Sequence, residues 1–271
     1  MDRLLKEGYT HVVDADLAAY FDTIPHDRLL ARVADRISDG RLLALLEQWL
    51  NQEVIQDLAR WTPTAGTPQG AVISPLLANI YLHDLGQHMA RHGYRMVRYA
   101  DDFVILCRSA AEAAQAFERV RAWVSAHGLT LHKDKTHVGN CAVYGQGFDF
   151  LGYRFESGRR WVRNRSRKAF RDRVRKRTRR CSGQSVAFVI ITQLNPFLKG
   201  WFAYFKHADR LEFSRLDGFV RRRLRSMLPK HAKRPGQGHT PADHRRWSNA
   251  FFAEHGLFTL TDAHALARQS R

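Results

Sequence analysis

Three aspartates have the residue type and spacing of a site for phosphoryl-transfer chemistry. Asp16 ends a short apolar run, and Asp101 and Asp102 lie side by side between two β-prone runs. Transfer to a sugar hydroxyl uses divalent cations, one to activate the hydroxyl and one to hold the leaving group. Mg²⁺ keeps water and substrate oxygens in its octahedron, so two or three carboxylates suffice. These residues therefore predict a catalytic site for two Mg²⁺ ions.

The simplest alternative for adjacent aspartates is a solvated turn, which turn chemistry alone favours. The flanking segments argue against it, because residues 96–97 and 103–106 predict buried strands on both sides of the pair. Asp14 lies two residues before Asp16 and would share its face of a straight strand. Asp22 is more simply interpreted as a helix cap. Asp14 and Asp22 are both interpreted as structural.

Hydrophobic periodicity predicts the elements that must position the acids. In chain order they are a strand at residues 11–16, a helix opened by Pro25, a helix from Ser74 to near Gly93, strands at residues 94–99 and 103–107, a helix at residues 109–128 and a strand at residues 129–131. This order is that of a split βαβ sandwich with an inserted helix. An α+β fold is therefore expected for the first part of the chain.

A large positive charge predicts a polyanionic partner. The 271 residues include 44 Lys and Arg against 26 Asp and Glu, a formal net charge of +18. A soluble fold does not need this surplus for stability, whereas nucleic-acid binding does. Residues 159–180 alone contain thirteen Lys or Arg residues and one acid, Asp172. The sequence thus predicts two domains, residues 1–158 and a basic helical part at residues 159–271.

Membrane and export classes are not indicated. The longest apolar runs, such as residues 186–191, are much shorter than the roughly 20 residues of a membrane span, and the N-terminus lacks a signal-peptide pattern. The cysteines Cys107, Cys141 and Cys181 have neither metal-binding nor redox spacing. We expect no membrane partner and a reduced, cytoplasmic setting, as a nucleoid-associated ribonucleoprotein.

Four motifs, in this order, resemble those of reverse transcriptases. They are Asp16-Leu-Ala-Ala-Tyr-Phe21-Asp22, Gly66-Thr-Pro-Gln-Gly70, Ser74-Pro-Leu-Leu-Ala-Asn79 and Tyr99-Ala-Asp-Asp102. The resemblance implies that residues 1–158 form a polymerase palm, a ferredoxin-like antiparallel sheet with helices. It also implies that Asp16, Asp101 and Asp102 bind the metals, with the backbone carbonyl of Leu17 as a further ligand.

The same resemblance implies contacts with the incoming nucleotide. Phe21 would lie under its sugar, where a bulky ring excludes a 2′-hydroxyl and selects dNTPs; by itself, Phe21 is more simply a core aromatic. Pro68, Gln69 and Gly70 would touch the nucleotide and template, Gln69 through amide hydrogen bonds. Lys135 would face the nucleotide phosphates, although an exposed lysine is an equally good interpretation.

Residues 148–152 are similar to the primer grip of the family, which implies primer contacts from Phe150, Leu151 and Gly152. The segment at residues 195–205, with residues 216–228 and 247–265, resembles the thumb and maturase domain of group II intron proteins. Within it, Trp201 and Phe205 are expected to pack a helical core.

RNA contacts are expected from basic side chains after residue 158, because phosphate contacts give affinity that falls with salt. The candidates are Arg163, Arg167, Lys168, Arg171, Arg175, Lys199, Arg221, Arg222 and Arg225. A solvated charged helix is the alternative, but such helices usually mix both signs.

The chain thus resembles a group II intron-encoded reverse transcriptase/maturase, and it is expected to be an N-terminally truncated form without fingers or HNH endonuclease. The expected function is RNA-directed DNA polymerase and intron maturase, adding dNTPs to a DNA or RNA primer on an intron RNA template, in splicing and retrohoming. The alternative is a noncatalytic RNA-binding splicing factor with an incomplete polymerase. An RNA-dependent RNA polymerase would prefer a small or polar residue in place of Phe21. Homodimer formation stays open.

Overall fold

The chain divides into two compact units. The computed structural model describes residues 1–56, 59–68, 70–180, 183–233 and 236–269. The first unit comprises Met1–Phe150 and Glu156–Gly158, and the second comprises Leu151–Phe155 and Arg159–Arg271. The chain therefore passes from the first unit to the second within residues 150–159.

The first unit mixes helices with antiparallel strands. Its elements are α1 (Asp2–Lys6), β1 (His11–Ala15), α2 (Tyr20–Thr23), α3 (His26–Ala34), α4 (Gly40–Leu50), β2 (Val54–Gln56), β3 (Ala59–Trp61), α5 (Ser74–Arg91), β4 (Arg95–Tyr99), β5 (Asp102–Cys107), α6 (Ala110–Ala126), β6 (His137–Asn140) and β7 (Phe148–Phe150). The helix α4 and the small hairpin β2–β3 are not predicted from the sequence.

A four-stranded sheet with the order β4-β5-β1-β6 forms the centre of this unit. The pairs β4–β5, β1–β5 and β1–β6 are all antiparallel. The helices α2 to α5 connect β1 to β4, and α6 connects β5 to β6. This order and connectivity are those of the split βαβ sandwich, so the predicted α+β, palm-like fold class is confirmed.

Helices cover one face of the sheet. Val13 of β1 and Phe103 and Ile105 of β5 are buried in one cluster with Leu82 of α5 and Val120 of α6. The polar residue Ser109 accepts a hydrogen bond from the N–H of Glu112 (3.1 Å) and caps α6 where the sequence predicts its start. Burial of this apolar face is the main contribution to the stability of the sheet.

Residues 129–131 do not form the predicted strand. Leu131 makes a single bridge to Leu17, and the strand that pairs with this edge of β1 is β6, further along the chain. Between them the backbone turns, because both the N–H and the hydroxyl of Thr136 donate to the carbonyl oxygen of His132 (3.1 and 2.8 Å). This turn interrupts the extended segment after residue 131, so regular pairing with β1 begins only at β6.

The second unit is mainly helical. Its elements are β8 (Tyr153–Glu156), β9 (Arg159–Val162), α7 (Asn164–Arg177), α8 (Val186–Phe188), a π-helical segment (Val189–Leu194), α9 (Asn195–Phe205), α10 (Arg210–His231), α11 (Pro241–Arg246), α12 (Asn249–Glu254) and α13 (Leu260–Gln269). The strands β8 and β9 are neighbours in one sheet.

Aromatic rings fill the core of this unit. The ring of Trp201 lies 4.7 Å from that of Phe170 and 4.6 Å from that of Phe205, measured between centroids. Phe213 of α10 meets Trp201 edge-on at 6.5 Å. Trp201 and Phe205 therefore pack a helical core, as predicted.

The helical run Val186–Phe205 has the length and mean hydropathy, 1.2, that a membrane-crossing helix needs. This composition is a weak indication, because core helices of globular proteins share it. Val189, Ile190, Leu194 and Leu198 are fully buried within the second unit. These four residues have an apolar environment inside the unit, and 28% of the run is buried in all.

The helix α10 contains a proline near its end. Pro229 lies within the last turn and has no N–H to donate to the carbonyl of Arg225, four residues earlier. Gly238 lies close to this carbonyl, since a Cβ atom at Gly238 would be 2.4 Å from its oxygen. The helix tolerates the proline because only its final turn follows.

A buried carboxylate fixes the last helix. Asp217 of α10 is 4% exposed, and it accepts hydrogen bonds from the backbone N–H groups of Leu260 and Thr261 (2.9 Å each) and from the Thr261 hydroxyl (2.6 Å). The first N–H groups of a helix have no partner within the helix. Asp217 thus acts as an N-terminal cap for α13 from a neighbouring helix.

Replacing Asp217 by Ala is expected to lower the free energy of unfolding by about 2 kcal/mol, because buried N–H groups lose their acceptor. Urea denaturation followed by circular dichroism measures this change. The control is Asp172→Ala, which removes an exposed carboxylate from α7 and should change the stability by less than about 0.5 kcal/mol. Equal effects of the two substitutions would contradict the capping role of Asp217.

Candidate active site

The register of β1 and β5 brings two of the predicted metal ligands to the same end of the sheet. Ala15 pairs with Phe103, so the next residues outward on these neighbouring strands are Asp16 and Asp102. Asp101 lies in the turn that joins β4 to β5. The structure therefore places the three predicted residues at the same end of the sheet, while their binding of metal stays a prediction.

Alternation of side chains along β1 determines the face on which Asp16 lies. Val13 and Ala15 are buried in the core beneath the helices. Because successive side chains of a strand point to opposite faces, Asp14 and Asp16 lie on the other face. The shared face of Asp14 and Asp16 is therefore a consequence of core packing.

The pKa of Asp14 reflects how closely the carboxylates are grouped. Burial, followed by the negative charges of Asp102, Asp149 and Asp16, raises the pKa of Asp14 to about 7. Asp149 lies on β7, and nothing in the sequence marks this single acid between two phenylalanines. The group is a concentration of like charge that a bound cation would stabilise.

A cationic side chain holds the turn that carries Asp101. Ala100 has a φ of 55°, a left-handed conformation that is uncommon outside glycine. Nη1 of Arg98 donates to the carbonyl oxygen of Ala100 (2.9 Å) and to Oδ1 of Asn79 on α5 (2.8 Å). Arg98 thus ties the hairpin to the helix. The sequence does not identify Arg98 as a site residue, because one partner, Asn79, is distant in the chain and the other is a backbone carbonyl group.

Lys135 contacts a predicted metal ligand. The N–H of His132 donates to the carbonyl oxygen of Asp16 (2.8 Å), and the turn that follows brings Nζ of Lys135 to 2.9 Å from Oδ2 of Asp16. This hydrogen bond and the charges of Asp16, Asp102 and Asp101 raise the pKa of Lys135. The structure places the ammonium group on a carboxylate, and its predicted contact with nucleotide phosphates stays a prediction.

The donor atoms suit a hard divalent cation. Asp16 and Asp102 offer oxygen ligands, which Mg²⁺ prefers, and the ammonium group of Lys135 marks a position beside Asp16 where positive charge is accepted. Among the side chains that the structure describes, no three His, Cys, Asp or Glu residues are grouped to hold an ion by themselves. Water and substrate oxygens would complete the coordination. Leu17 is 4% exposed, and its carbonyl stays a predicted ligand.

Phe21 lies beside the loop with the predicted nucleotide contacts. The N–H of Thr67 donates to the carbonyl oxygen of Phe21 (2.6 Å), and Pro68 follows directly. Phe21 is half-buried, and Gly70 is exposed with a φ of 90°. Gln69 lies outside the described residues, so its predicted contacts have no position in the structure.

Gly66 determines how closely this loop approaches α2. Its N–H donates to the carbonyl oxygen of Ile24 (2.8 Å), and its own carbonyl oxygen lies 2.6 Å from Nε2 of His26. A Cβ atom at Gly66 would lie 2.8 Å from the backbone of Asp22, and the φ of Gly66 is +90°. Any side chain at this position would therefore push the loop away from α2.

The predicted primer-grip residues lie where the chain leaves the first unit. Phe150 is 7% exposed within the first unit. In the second unit, Leu151 and Gly152 have φ values of 47° and 78°, and the Tyr204 hydroxyl donates to the carbonyl oxygen of Leu151 (3.0 Å). These residues form a tight bend, and their contact with a primer stays a prediction.

The predicted RNA-binding residues differ in exposure. Lys168, Arg175, Lys199 and Arg222 are exposed, and Arg163, Arg167, Arg171 and Arg221 are partly buried. The guanidinium groups of Arg171 and Arg175 lie 5.8 and 5.5 Å from the ring centre of Phe219. Stacking on one ring restrains both side chains on the basic surface.

Arg225 serves the fold, and its burial argues against its predicted contact with RNA. It is 5% exposed. Its Nε donates to the carbonyl oxygen of Trp247 (2.7 Å), its Nη2 donates to Oδ1 of Asn249 (2.9 Å), and its guanidinium lies over the ring of Phe252. A phosphate could reach this group only if these buried hydrogen bonds were broken.

Comparison with known families gives two matches along the chain. Residues 3–155 match the model described as reverse transcriptase (RNA-dependent DNA polymerase). Residues 167–247 match the model described as group II intron, maturase-specific domain. The first match covers more than half of the 271 residues.

Curated proteins are similar over parts of their length. The chain is 41% identical over 81 residues to the "Uncharacterized 91 kDa protein in cob intron" of Schizosaccharomyces pombe, covering 30% of this chain and 10% of that protein. It is 30% identical over 191 residues to Protein YkfC of Escherichia coli, covering 58% and 48%. It is 37% identical over 78 residues to the group II intron-encoded protein LtrA of Lactococcus lactis subsp. cremoris, covering 29% and 13%. The chain thus spans less than half of each of these relatives.

Gly66→Ala is expected to lower the free energy of unfolding by about 2 kcal/mol, because the new methyl group meets backbone atoms and the positive φ is strained. Urea denaturation measures the change. Gly86→Ala is the control, since Gly86 lies within α5 with open space around its Cβ position, and the substitution should stabilise the protein by up to about 1 kcal/mol. A neutral Gly66→Ala substitution would exclude the close approach described above.

Arg98→Met is expected to make the amide protons of residues 99–103 exchange with solvent roughly tenfold faster, because two hydrogen bonds that hold the turn are lost. Hydrogen exchange followed by NMR measures the rates. Arg95→Met removes the same charge from an exposed position on the same strand and should leave these rates unchanged. Equal rates in the two variants would show that Arg98 does not hold the turn.

Proposed function

This chain belongs to the reverse transcriptase (RNA-dependent DNA polymerase) family and carries a group II intron maturase-specific domain, and we propose that it is an RNA-directed DNA polymerase and intron maturase. Its template would be intron RNA, its primer DNA or RNA, and its substrates dNTPs, in splicing and retrohoming. We place this activity in the cytoplasm, in a nucleoid-associated ribonucleoprotein. Members of the family generally use divalent metal ions.

The observation that carries the proposal is the convergence of Asp16, Asp101 and Asp102 at one end of the palm sheet. Two Mg²⁺ ions bound there would activate the primer 3′-hydroxyl and neutralise the triphosphate. Arg98 positions Asp101 through the turn. Lys135, already at the carboxylates, can move its charge to the nucleotide phosphates when a cation takes its place beside Asp16.

The loop on α2 supports the selection of dNTPs. Phe21 and Pro68 are kept near each other by the backbone bond from Thr67 and by the approach of Gly66. A half-buried ring at Phe21 presents a rigid surface to the sugar and excludes a 2′-hydroxyl by its volume. The roles of Gly70 and of the primer-grip bend belong to the same proposal.

The basic helices of the second unit supply RNA binding. Lys168, Arg175 and Arg222 are exposed, and Phe219 restrains Arg175 on this surface. Phosphate contacts of this kind make the affinity fall as the salt concentration rises.

A noncatalytic RNA-binding splicing factor is the second candidate. The contact of Lys135 with Asp16 favours it, because an ion pair at this carboxylate satisfies its charge without metal. The basic second unit would act alone in this case, with the palm as a scaffold.

Primer extension on an RNA template with dNTPs and Mg²⁺ distinguishes the two candidates. Asp101→Asn combined with Asp102→Asn is expected to reduce extension at least roughly a thousandfold, because metal-based charge stabilisation contributes several kcal/mol. The control pair, Asp27→Asn with Asp134→Asn, makes the same charge change at exposed positions and should keep full activity.

RNA binding is measured in parallel at several salt concentrations. Extension that is lost only in the Asp101/Asp102 variant, with RNA binding retained, is the result expected for the polymerase. Tight, salt-sensitive RNA binding without extension by the wild-type protein would overturn the polymerase and favour the splicing factor.

A further inference from the structure

The second unit contains a basic cavity whose lining shares no residue with the predicted RNA-binding set. Its volume is about 430 Å³, in the range of small-ligand sites. It is lined by Arg160 of β9, by residues 206–210, which connect α9 to the first residue of α10, and by His264 and Arg268 of α13. The small side chains of Ala208 and Ala267 leave room within it.

Positive charge dominates the lining. The cationic side chains are Arg160, Lys206, Arg210 and Arg268. Among the lining residues that the structure describes, Asp209 is the one acid, and it is already engaged. Its Oδ1 accepts the N–H of Leu211 (2.9 Å) as the cap of α10, and its Oδ2 lies 3.9 Å from Nη1 of Arg159. The cavity therefore gathers cations at short range, an arrangement that an anion stabilises.

Arg160 is held in place before any ligand binds. Its Nε donates to the carbonyl oxygen of His207 (2.7 Å). Its guanidinium carbon lies 5.3 Å from the ring centre of Tyr153 and 5.9 Å from that of Phe155. A stacked, hydrogen-bonded guanidinium loses little freedom when it contacts a ligand, so more of the contact energy appears as affinity.

His264 gives the cavity a titratable group. It is 9% exposed, and its ring lies 4.9 Å from that of Phe213. Burial lowers the pKa of His264, Arg268 and Arg210 lower it further, and Asp209 raises it. The other charged or titratable groups of the lining are Arg160, Lys206 and His207. A bound anion would offset the nearby cations and favour protonation of His264.

We propose that this cavity binds a phosphate group of a nucleic acid, either at a 5′ end or within the backbone. Fixed guanidinium groups suit phosphate oxygens because they can donate two parallel hydrogen bonds. The volume admits a phosphate with its sugar, whereas a duplex would not enter. The inference does not rest on polymerase activity, since every lining residue lies in the second unit.

The first test is a titration of His264 by NMR with inorganic phosphate, at constant ionic strength set by chloride. Phosphate is expected to shift the His264 signals saturably and to move their titration midpoint to higher pH. Arg268→Gln should weaken phosphate binding roughly tenfold, as expected for the loss of one charge-assisted hydrogen bond. Arg245→Gln, an exposed change on α11 outside both the cavity and the predicted RNA-binding set, should leave it unchanged.

Competition then identifies the source of the phosphate, with 5′-phosphorylated and 5′-hydroxyl forms of the same short RNA. Displacement of inorganic phosphate by the phosphorylated form alone supports a terminal phosphate, and equal displacement by both supports the backbone. The proposal is overturned if chloride shifts His264 as phosphate does, if Arg268→Gln and Arg245→Gln behave alike, or if neither RNA competes.

Discussion

The antiparallel pairing of β1 with β5 is the constraint on which the candidate site depends. Val13 and Ile105 are opposite each other in this register and are fully buried. A shift of the β1–β5 register by one residue would expose these side chains and bury the side chain of Asp16 in the core. The hydrophobic effect therefore strongly favours the observed register. The positions of the carboxylates are thus set by apolar residues that take no part in chemistry.

Placing acidic residues together has an electrostatic cost, which Lys135 offsets at Asp16. A second cation, Arg98, has a different attachment. Arg98 is bonded to Ala100 and Asn79, and its side chain is partly buried. Lys135 reaches Asp16 from an exposed turn. A partly buried arginine with fixed partners serves to hold a turn, whereas an exposed lysine on a flexible stem can be exchanged for another cation. The difference in attachment makes Arg98 a positioning residue and Lys135 a movable charge.

The sequence predicts the order of strands and helices around the sheet, the paired acids in a turn, and the common face of Asp14 and Asp16, because strand periodicity and turn residues act over a few positions. It does not predict the partners of Arg98 or the approach of Asp149, which come from distant segments. The strand expected at residues 129–131 is replaced by a bridge, because the side chain of Thr136 favours a turn that periodicity does not encode. The burial of Arg225 is not predicted from the sequence either, since its hydrogen-bond acceptors lie more than twenty residues away.

Because some arginines of the second unit are paired within the fold, the net charge overestimates the number of RNA contacts that this unit can make. Arg223 donates to the hydroxyl and carbonyl oxygens of Thr178 (3.1 and 2.8 Å). Arg167 lies 3.6 Å from a carboxylate oxygen of Glu212, which is fully buried, and burial raises the pKa of Glu212 while Arg167 lowers it. These guanidinium groups already have partners, and releasing them to a phosphate would leave buried polar atoms unpaired. The salt dependence of RNA binding should therefore reflect the exposed cations and be smaller than the charge of +18 suggests.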